Sequence, residues 1–273
     1  MKAPRRFAFG ANWHRYLHLI DDSRIAEAEQ SIVAMLDRDD LQSLTLLDIG
    51  CGSGLFSLAA HRLGAQVISF DYDSESVACT TELKRRHSAD SGSWRIFQGS
   101  ILDRVLVDEL GNFDVVYSWG VLHHTGDMWR ALKNTCYCVA DNGQMFIAIY
   151  NDQGWRSRNW LAVKRFYNRC PAGVQRLVEI AAAVRLLGPT VLRDLLTGRP
   201  LQSLRNYKST RGMSPWYDVV DWVGGYPFEV AKPEQIQNFC RNLGFQLVRE
   251  KTVGGGHGCN EFVFRRTASG RDA

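Results

Sequence analysis

No apolar run in this 273-residue chain approaches the ~20 residues that a membrane span requires. The basic start, Lys2, Arg5 and Arg6, leads into no apolar h-region, so no signal peptide is read. The seven cysteines form neither a C-x-x-C redox pair nor a zinc half-site, since Cys136 and Cys138 are separated by one residue. They read as reduced thiols, and the expected location is cytoplasmic. Internal repeats and low-complexity stretches are missing, as is any recognisable RNA-binding module. What remains is an ordinary globular composition, 45% hydrophobic and 23% charged. The length suits one large α/β domain with an insertion, or two small domains.

A formal net charge of +4 conceals an uneven distribution. Between Gly154 and Arg211 stand ten Arg and two Lys against one Glu and one Asp, a net of +10 that leaves −6 for the remainder. Such an excess fits an acidic membrane surface, an anionic substrate or nucleic acid; it fits a solvated helical face equally well. The apolar spacing of Val174 to Leu196 predicts helices with an apolar face turned inward and Arg176, Arg185 and Arg193 pointing outward.

Strands and helices alternate through the first 150 residues. An aromatic-rich leader, residues 1–23, precedes a helix capped by Ser23 that runs to about Asp37, with Ile25, Ala28, Ile32, Met35 and Leu36 on one face. Strands are read at Leu44–Ile49, Gln66–Phe70, Trp94–Gln98, Phe113–Ser118 and, after an Asp141-Asn142-Gly143 turn, Gln144–Tyr150. Helices are read at Leu55–Leu63, at Glu75–His87 with Ser74 as cap, and at Trp129–Val139. This rhythm implies βαβ units with right-handed crossovers and a parallel sheet. Residues 151–230 carry no convincing strand. They offer helices near Ser157–Asn168, Val174–Leu187 and Thr190–Leu196, then an aromatic and acidic loop from Trp216 to Glu229. A helix from Pro233 to Leu243 follows, then strands Phe245–Val253 and Glu261–Arg266, whose short glycine-rich link requires antiparallel pairing.

The first strand runs into Asp48-Ile49-Gly50-Cys51-Gly52-Ser53-Gly54, and a second acid, Asp71, ends the next strand. Glycines there permit a sharp turn and let a ligand approach the backbone. The spacing differs from the G-x-G-x-x-G of dinucleotide binders. It resembles motif I and the acidic loop of the Rossmann-like (class I) S-adenosylmethionine-dependent methyltransferases. The resemblance covers residues 40–150 and 232–266 and is nearest the branch holding the O-methyltransferases of ubiquinone biosynthesis. It implies an α/β fold with a seven-stranded, mostly parallel, doubly wound sheet, an antiparallel last strand and a helical insertion.

The cofactor implied is S-adenosyl-L-methionine. By the resemblance, Gly50, Cys51, Gly52 and Gly54 approach its methionine part and Asp48 lies near its amino end. Asp71 accepts both ribose hydroxyls, a task suited to an ionised carboxylate, and Tyr72 lies against the adenine. The adenine loop falls at Gln98–Asp103, where Ser100, Asp103 or the backbone at Ile101 makes the contact. The backbone around Trp119 and Gly120 faces the methionine end. Trp13 and Tyr16, three apart on a helical leader, share a face and cover the sulfonium. His123 and His124 are the candidate general bases, with Asp152 or Asn151 beyond the fifth strand as acceptor contacts. Relatives in that branch carry Glu-His where this chain has His123-His124, and some use that acid for a metal; no metal is expected here.

The chain divides by expectation into an N-terminal helical cap (1–40), the cofactor-binding half (41–150), a helical lid insertion (151–230) and a C-terminal helix and strand pair that complete the sheet (231–273). The function expected is methyl transfer to a small-molecule acceptor, at a hydroxyl oxygen, with thiol and amine acceptors as alternatives. A nucleic-acid methyltransferase is the other enzymatic reading. It lacks an Asn-Pro-Pro-Tyr-type or Cys-based catalytic motif, so a nucleic-acid partner is not expected. A cofactor-binding module without turnover is the non-enzymatic alternative, and peripheral membrane contact through the basic insertion is a further expectation.

Overall fold

The computed structural model describes residues 7, 10, 13, 17–88, 92–205 and 215–267. Seven strands form one sheet in the order β3-β2-β1-β4-β5-β7-β6. They are β1 (Thr45–Ile49), β2 (Gln66–Asp71), β3 (Trp94–Gln98), β4 (Phe113–Trp119), β5 (Val139–Tyr150), β6 (Phe245–Lys251) and β7 (Cys259–Arg266). The first five pair in parallel, and β7 runs antiparallel to both β5 and β6. The strand order reverses between β1 and β4, which opens a crevice at the carboxyl edge where α/β sheets take ligands.

Alternate residues of each central strand enter opposite apolar layers, because successive side chains of a strand point to opposite faces. Leu47, Val116, Ile147 and Phe262 join one layer; Leu46, Val115, Phe146 and Val263 join the other. Helices α1 (Asp22–Leu36), α2 (Leu55–Arg62) and α3 (Ser74–His87) cover the second layer. The first is covered by α4 (Arg104–Leu110), α5 (Met128–Tyr137) and, toward the far end of the sheet, α9 (Pro233–Asn242). Between β5 and α9 lie α6 (Trp155–Tyr167), α7 (Ala172–Leu196) and α8 (Pro215–Gly224). These three share a small core of their own around Tyr167, Ala182, Val219 and Val223, to which Phe7 is added.

Several boundaries differ from the sequence reading. Asp21, not Ser23, caps α1 by accepting from the Arg24 N–H, and Asp73, not Ser74, caps α3 through the Glu75 N–H. Both pairs hold two competent caps, and the carboxylate earlier in the chain, by two residues at Asp21 and by one at Asp73, wins the free N–H groups. The sequence reading passed over α4, a seven-residue helix capped by Asp103, which accepts from the N–H groups of Val105 and Leu106. The Asp141-Asn142-Gly143 turn is an excursion inside β5, where Phe113 pairs with Val139 and Val115 already pairs with Gln144. Helix α7 runs unbroken through Pro189, which is exposed. Part of the aromatic loop is helical: α8 buries Val219 and Val223 at four-residue spacing. Among the described residues, no helix is long and apolar enough to cross a membrane, and all seven cysteines are free thiols.

Candidate functional site

The carboxyl edge of β1 turns through Gly50 (φ 79°), Gly52 (φ 55°) and Gly54 (φ 82°), a left-handed conformation that side chains disfavour. At Gly50 space forbids a side chain as well, since a Cβ would stand 2.4 Å from Val121 Cγ1 in the loop after β4. The β1 and β4 turns therefore touch at the crevice. Cys51 is buried beneath them and accepts from Thr80 Oγ1 at 3.2 Å.

Asp71 closes the turn from β2. Its Oδ2 accepts from the Gly52 N–H at 3.0 Å and its Oδ1 from the Asp73 N–H at 2.9 Å. Burial raises its pKa, opposed by these backbone bonds. Tyr72 beside it is 59% exposed. Asp48 lies below the turn and is fully enclosed; Ser57 Oγ donates to its Oδ2 at 2.5 Å, and the chain continues through Ser69 to Trp94 Nε1. Burial pushes the Asp48 carboxyl up to about 7, with the Ser57 bond acting against it and the Asp71 charge adding to it.

The leader crosses this edge. Gly10 N–H donates to Asp73 Oδ2 at 3.0 Å, and the Trp13 indole covers Gly52, where a Cβ would lie 3.1 Å from its Cε2. Further back, Phe7 N–H donates to the Tyr226 carbonyl and its ring packs on Gly224. Tyr16 lies outside the described residues.

In the loop after β3, Ser100 Oγ accepts from the Leu102 N–H, and Ile101 is buried with its carbonyl held by Asn134 Nδ2. Asp103 is committed to capping α4. After β4, Gly120 (φ 78°) follows Trp119, whose indole N–H donates to Glu261 at 3.2 Å.

The two histidines occupy different environments. His123 is fully buried, its ring tilted 38° against that of Tyr150 with centroids 3.9 Å apart, and its Nδ1 accepts from the Tyr150 N–H at 3.3 Å. Burial, with His124 and Lys164 nearby, holds its pKa well below the usual imidazole range. The neutral ring therefore has its proton on Nε2, an atom with no hydrogen-bond partner among the described residues. His124 is half-buried, and its Nδ1 lies 2.6 Å from the Pro227 carbonyl. A carbonyl only accepts, so Nδ1 carries a proton in this contact.

Beyond Tyr150 an aromatic cluster joins the sheet to the helical segment: Tyr150, Trp160, Trp222, Phe228 and His257 contact one another ring to ring. Lys164 of α6 is enclosed within it, over the rings of Trp222 (4.5 Å) and Phe228 (4.7 Å), and donates to the Trp222 carbonyl. Burial pushes its pKa down to about 7, against the Asp221 charge. Sequence reasoning missed this residue. The available signal was its spacing, four after Trp160 and three before Tyr167, which puts a lysine on the apolar face of α6.

Asp152 Oδ1 accepts from the Gly154 N–H at 2.8 Å, which shapes the exit from β5. Asn151 serves the loop before β7, donating to the Gly254 carbonyl and accepting from Asn260. The structure thus gathers Trp13, Gly50, Gly52 and Asp71 at one end of the crevice. His123 and His124 meet Tyr150 at the other end, past Trp119 and Gly120, and Asp152 follows two residues after Tyr150. Among the described residues, no three His, Cys, Asp or Glu side chains gather to hold a metal ion.

The sequence pattern of a family described as "Methyltransferase domain" matches residues 17–191. Among curated proteins, the chain is 31% identical over 140 residues to a ubiquinone biosynthesis O-methyltransferase of Caulobacter vibrioides, covering 50% of this chain and 54% of that protein. It is 30% identical over 161 residues to the protein of that name from Sinorhizobium medicae, covering 55% and 63%. The chain thus spans little more than half the length of the curated relatives it matches. The fold is similar to the crystal structure of magnesium protoporphyrin IX methyltransferase from Synechocystis PCC 6803 with bound SAH, with a TM-score of 0.55, 15% identity and 94% of each chain covered. With the sheet order, the glycine turn and this match in agreement, the chain belongs to the methyltransferase-domain family and has the Rossmann-like architecture of its S-adenosylmethionine-dependent members.

Proposed function

We propose that this chain transfers a methyl group from S-adenosyl-L-methionine to a small-molecule acceptor, at a hydroxyl oxygen. The observation that carries the reading is the meeting of the left-handed glycine turn with Asp71 at the point where the strand order reverses. The residues present fit the donor. A Cβ at Gly52 would press on the Trp13 ring at 3.1 Å, so only glycine leaves this edge of the turn open, and each Asp71 oxygen keeps a second lone pair for a ribose hydroxyl. Tyr72 is exposed beside it to lie along the adenine, with Ser100 and the Ile101 backbone at the base edge. Gly50, Cys51 and Gly54 complete the turn, Asp48 supports it from below, and Trp119 and Gly120 flank the methionine end. Trp13 covers the sulfonium, which a π face attracts.

The bound donor supplies a methyl group on a sulfonium, open to in-line attack. The protein holds the acceptor oxygen in line and takes up its proton. His124 suits that role better than His123. His124 is only half-buried and the Pro227 carbonyl orients its ring, whereas His123 is enclosed and its lone pair already serves the Tyr150 N–H. Asp152 stands second as an acceptor contact. Residues 151–230 act as a lid over the acceptor, 1–40 as a cap over the donor, and 41–150 with 231–273 form the sheet domain beneath them. The oxygen assignment is supported by the names of the curated relatives.

The test is transfer of a labelled methyl into panels of phenolic, quinol, thiol, sugar and amine acceptors. Product in the phenolic or quinol panel, with S-adenosylhomocysteine released, is expected. Product only with thiols or amines would overturn the oxygen assignment, and a folded chain that does not bind the donor would overturn the whole reading.

A further inference from the structure

The helical segment carries an outward face that neither the sheet nor its own small core covers. On α7, Leu177, Ile180, Val184, Gly188, Val191 and Leu195 follow one another at intervals of three and four, so they form a single row along the helix. The row points away from the protein: Leu177 is 67% exposed, Val184 68% and Leu195 55%. The inward side of the same helix is apolar too, with Ala182 buried and Leu186 packed on the core. Helix α7 is thus apolar on two faces, and among the described residues only one of them is covered. Beside the row, α6 and α7 enclose an open groove of about 450 Å³ lined by Trp160, Val163, Phe166, Val178 and Ala181, with Arg185 at its edge. Phe166 is itself 55% exposed.

Charge on this face has one sign. The two acids between residues 154 and 211 are both turned inward. Glu179 accepts from the Tyr167 hydroxyl and from Arg176, and Asp194 accepts from the Ser203 N–H and hydroxyl. The nine described arginines of the segment are all exposed. Arg176, one residue before Leu177, and Arg185, one after Val184, fall roughly 100° to either side of the apolar row. Apolar side chains flanked by guanidinium groups, with no outward acid, match a bilayer surface, where the row enters the acyl boundary and the arginines meet phosphates. A second copy fits worse, because a two-fold contact would set this positive face against itself.

We propose that the outer face of α7, with the α6–α7 groove beside it, is a docking surface for an anionic lipid bilayer. The experiment is co-sedimentation of the full chain with phosphatidylcholine vesicles, with and without phosphatidylglycerol, at low and high salt. Binding is expected only with phosphatidylglycerol and should fall as salt rises. Arg165→Gln with Arg185→Gln should reduce partitioning roughly thirtyfold, at about fivefold for each charge near the surface. Leu177→Ser with Val184→Ser and Leu195→Ser should reduce it by about tenfold or more, because the row no longer enters the acyl boundary. All these side chains are exposed, so the melting temperature should hold in both variants. Equal binding to neutral vesicles, or unchanged binding by either variant, would overturn the proposal. So would a dimer in analytical centrifugation that the serine variant dissociates while vesicle binding is unaltered, since the occupant would then be a second copy.

Discussion

Replacing Asp71 by alanine tests the proposed donor site at its most determined point. In the structure each carboxylate oxygen already accepts one backbone N–H, from Gly52 at 3.0 Å and from Asp73 at 2.9 Å. The second lone pair on each oxygen is what the ribose would use. A hydrogen bond to a charged group contributes ~1.5 to 3 kcal/mol, so losing two removes ~3 to 6 kcal/mol. At ~1.4 kcal/mol per decade, donor affinity should fall by about 10² to 10⁴. Asp71→Asn keeps the shape and one carbonyl acceptor, so it should lose about half that free energy. Burial raises the Asp71 pKa, so wild-type affinity should also weaken as the pH falls into the acid range and the carboxyl takes up a proton. Titration calorimetry with the donor reads all three effects, and thermal melting checks that the turn survives the loss of its two N–H partners. An Asp71→Ala protein that melts like the wild type and binds the donor within about threefold of it would refute the ribose assignment.

His124→Ala should lower turnover by ~10² to 10⁴ on a phenol or alcohol and leave donor affinity unchanged; His123→Ala should chiefly lower the melting temperature, and the opposite pattern would exchange their roles. Asp48→Asn should stabilise the fold above neutral pH. The buried carboxyl holds its proton up to about 7, whereas in the unfolded chain it ionises near the ordinary value of ~3.9. The wild type therefore loses roughly 4 kcal/mol of stability as pH rises through that window, and the asparagine does not. Urea unfolding at pH 5 and pH 8 should show the gap between the two proteins widening; a constant gap would contradict the burial argument. Trp13→Ala should weaken donor binding about tenfold, through loss of a desolvated cation–π contact, and leave the sheet intact; unchanged affinity would make the leader a packing element only.

The sequence alone determined the sheet and the glycine turn at its carboxyl edge. Short apolar runs, separated by helical stretches, point to βαβ units, and Gly50 to Gly54 can make their turn because no side chain stands in the way. Tertiary structure decided where one pattern admits two outcomes. His123 and His124 are the same residue type in adjacent positions, and only the Tyr150 backbone and the Pro227 carbonyl, from distant segments, give them different tautomers. Asp103 could be a ligand group or a cap by spacing, and the short helix α4 claims it. Lys164 reads as a surface cation until Trp222 and Phe228 enclose it. Helix α7 was expected to turn its apolar face inward. It is apolar on two faces, and periodicity alone gives no preference between them. The small core around Tyr167 and Val223 covers one and leaves Leu177, Val184 and Leu195 to the outside. A side chain's neighbours along the chain are set by the sequence, but its solvent is set by which distant elements pack against it, and burial, charge state and hydrogen-bond role all follow from that solvent.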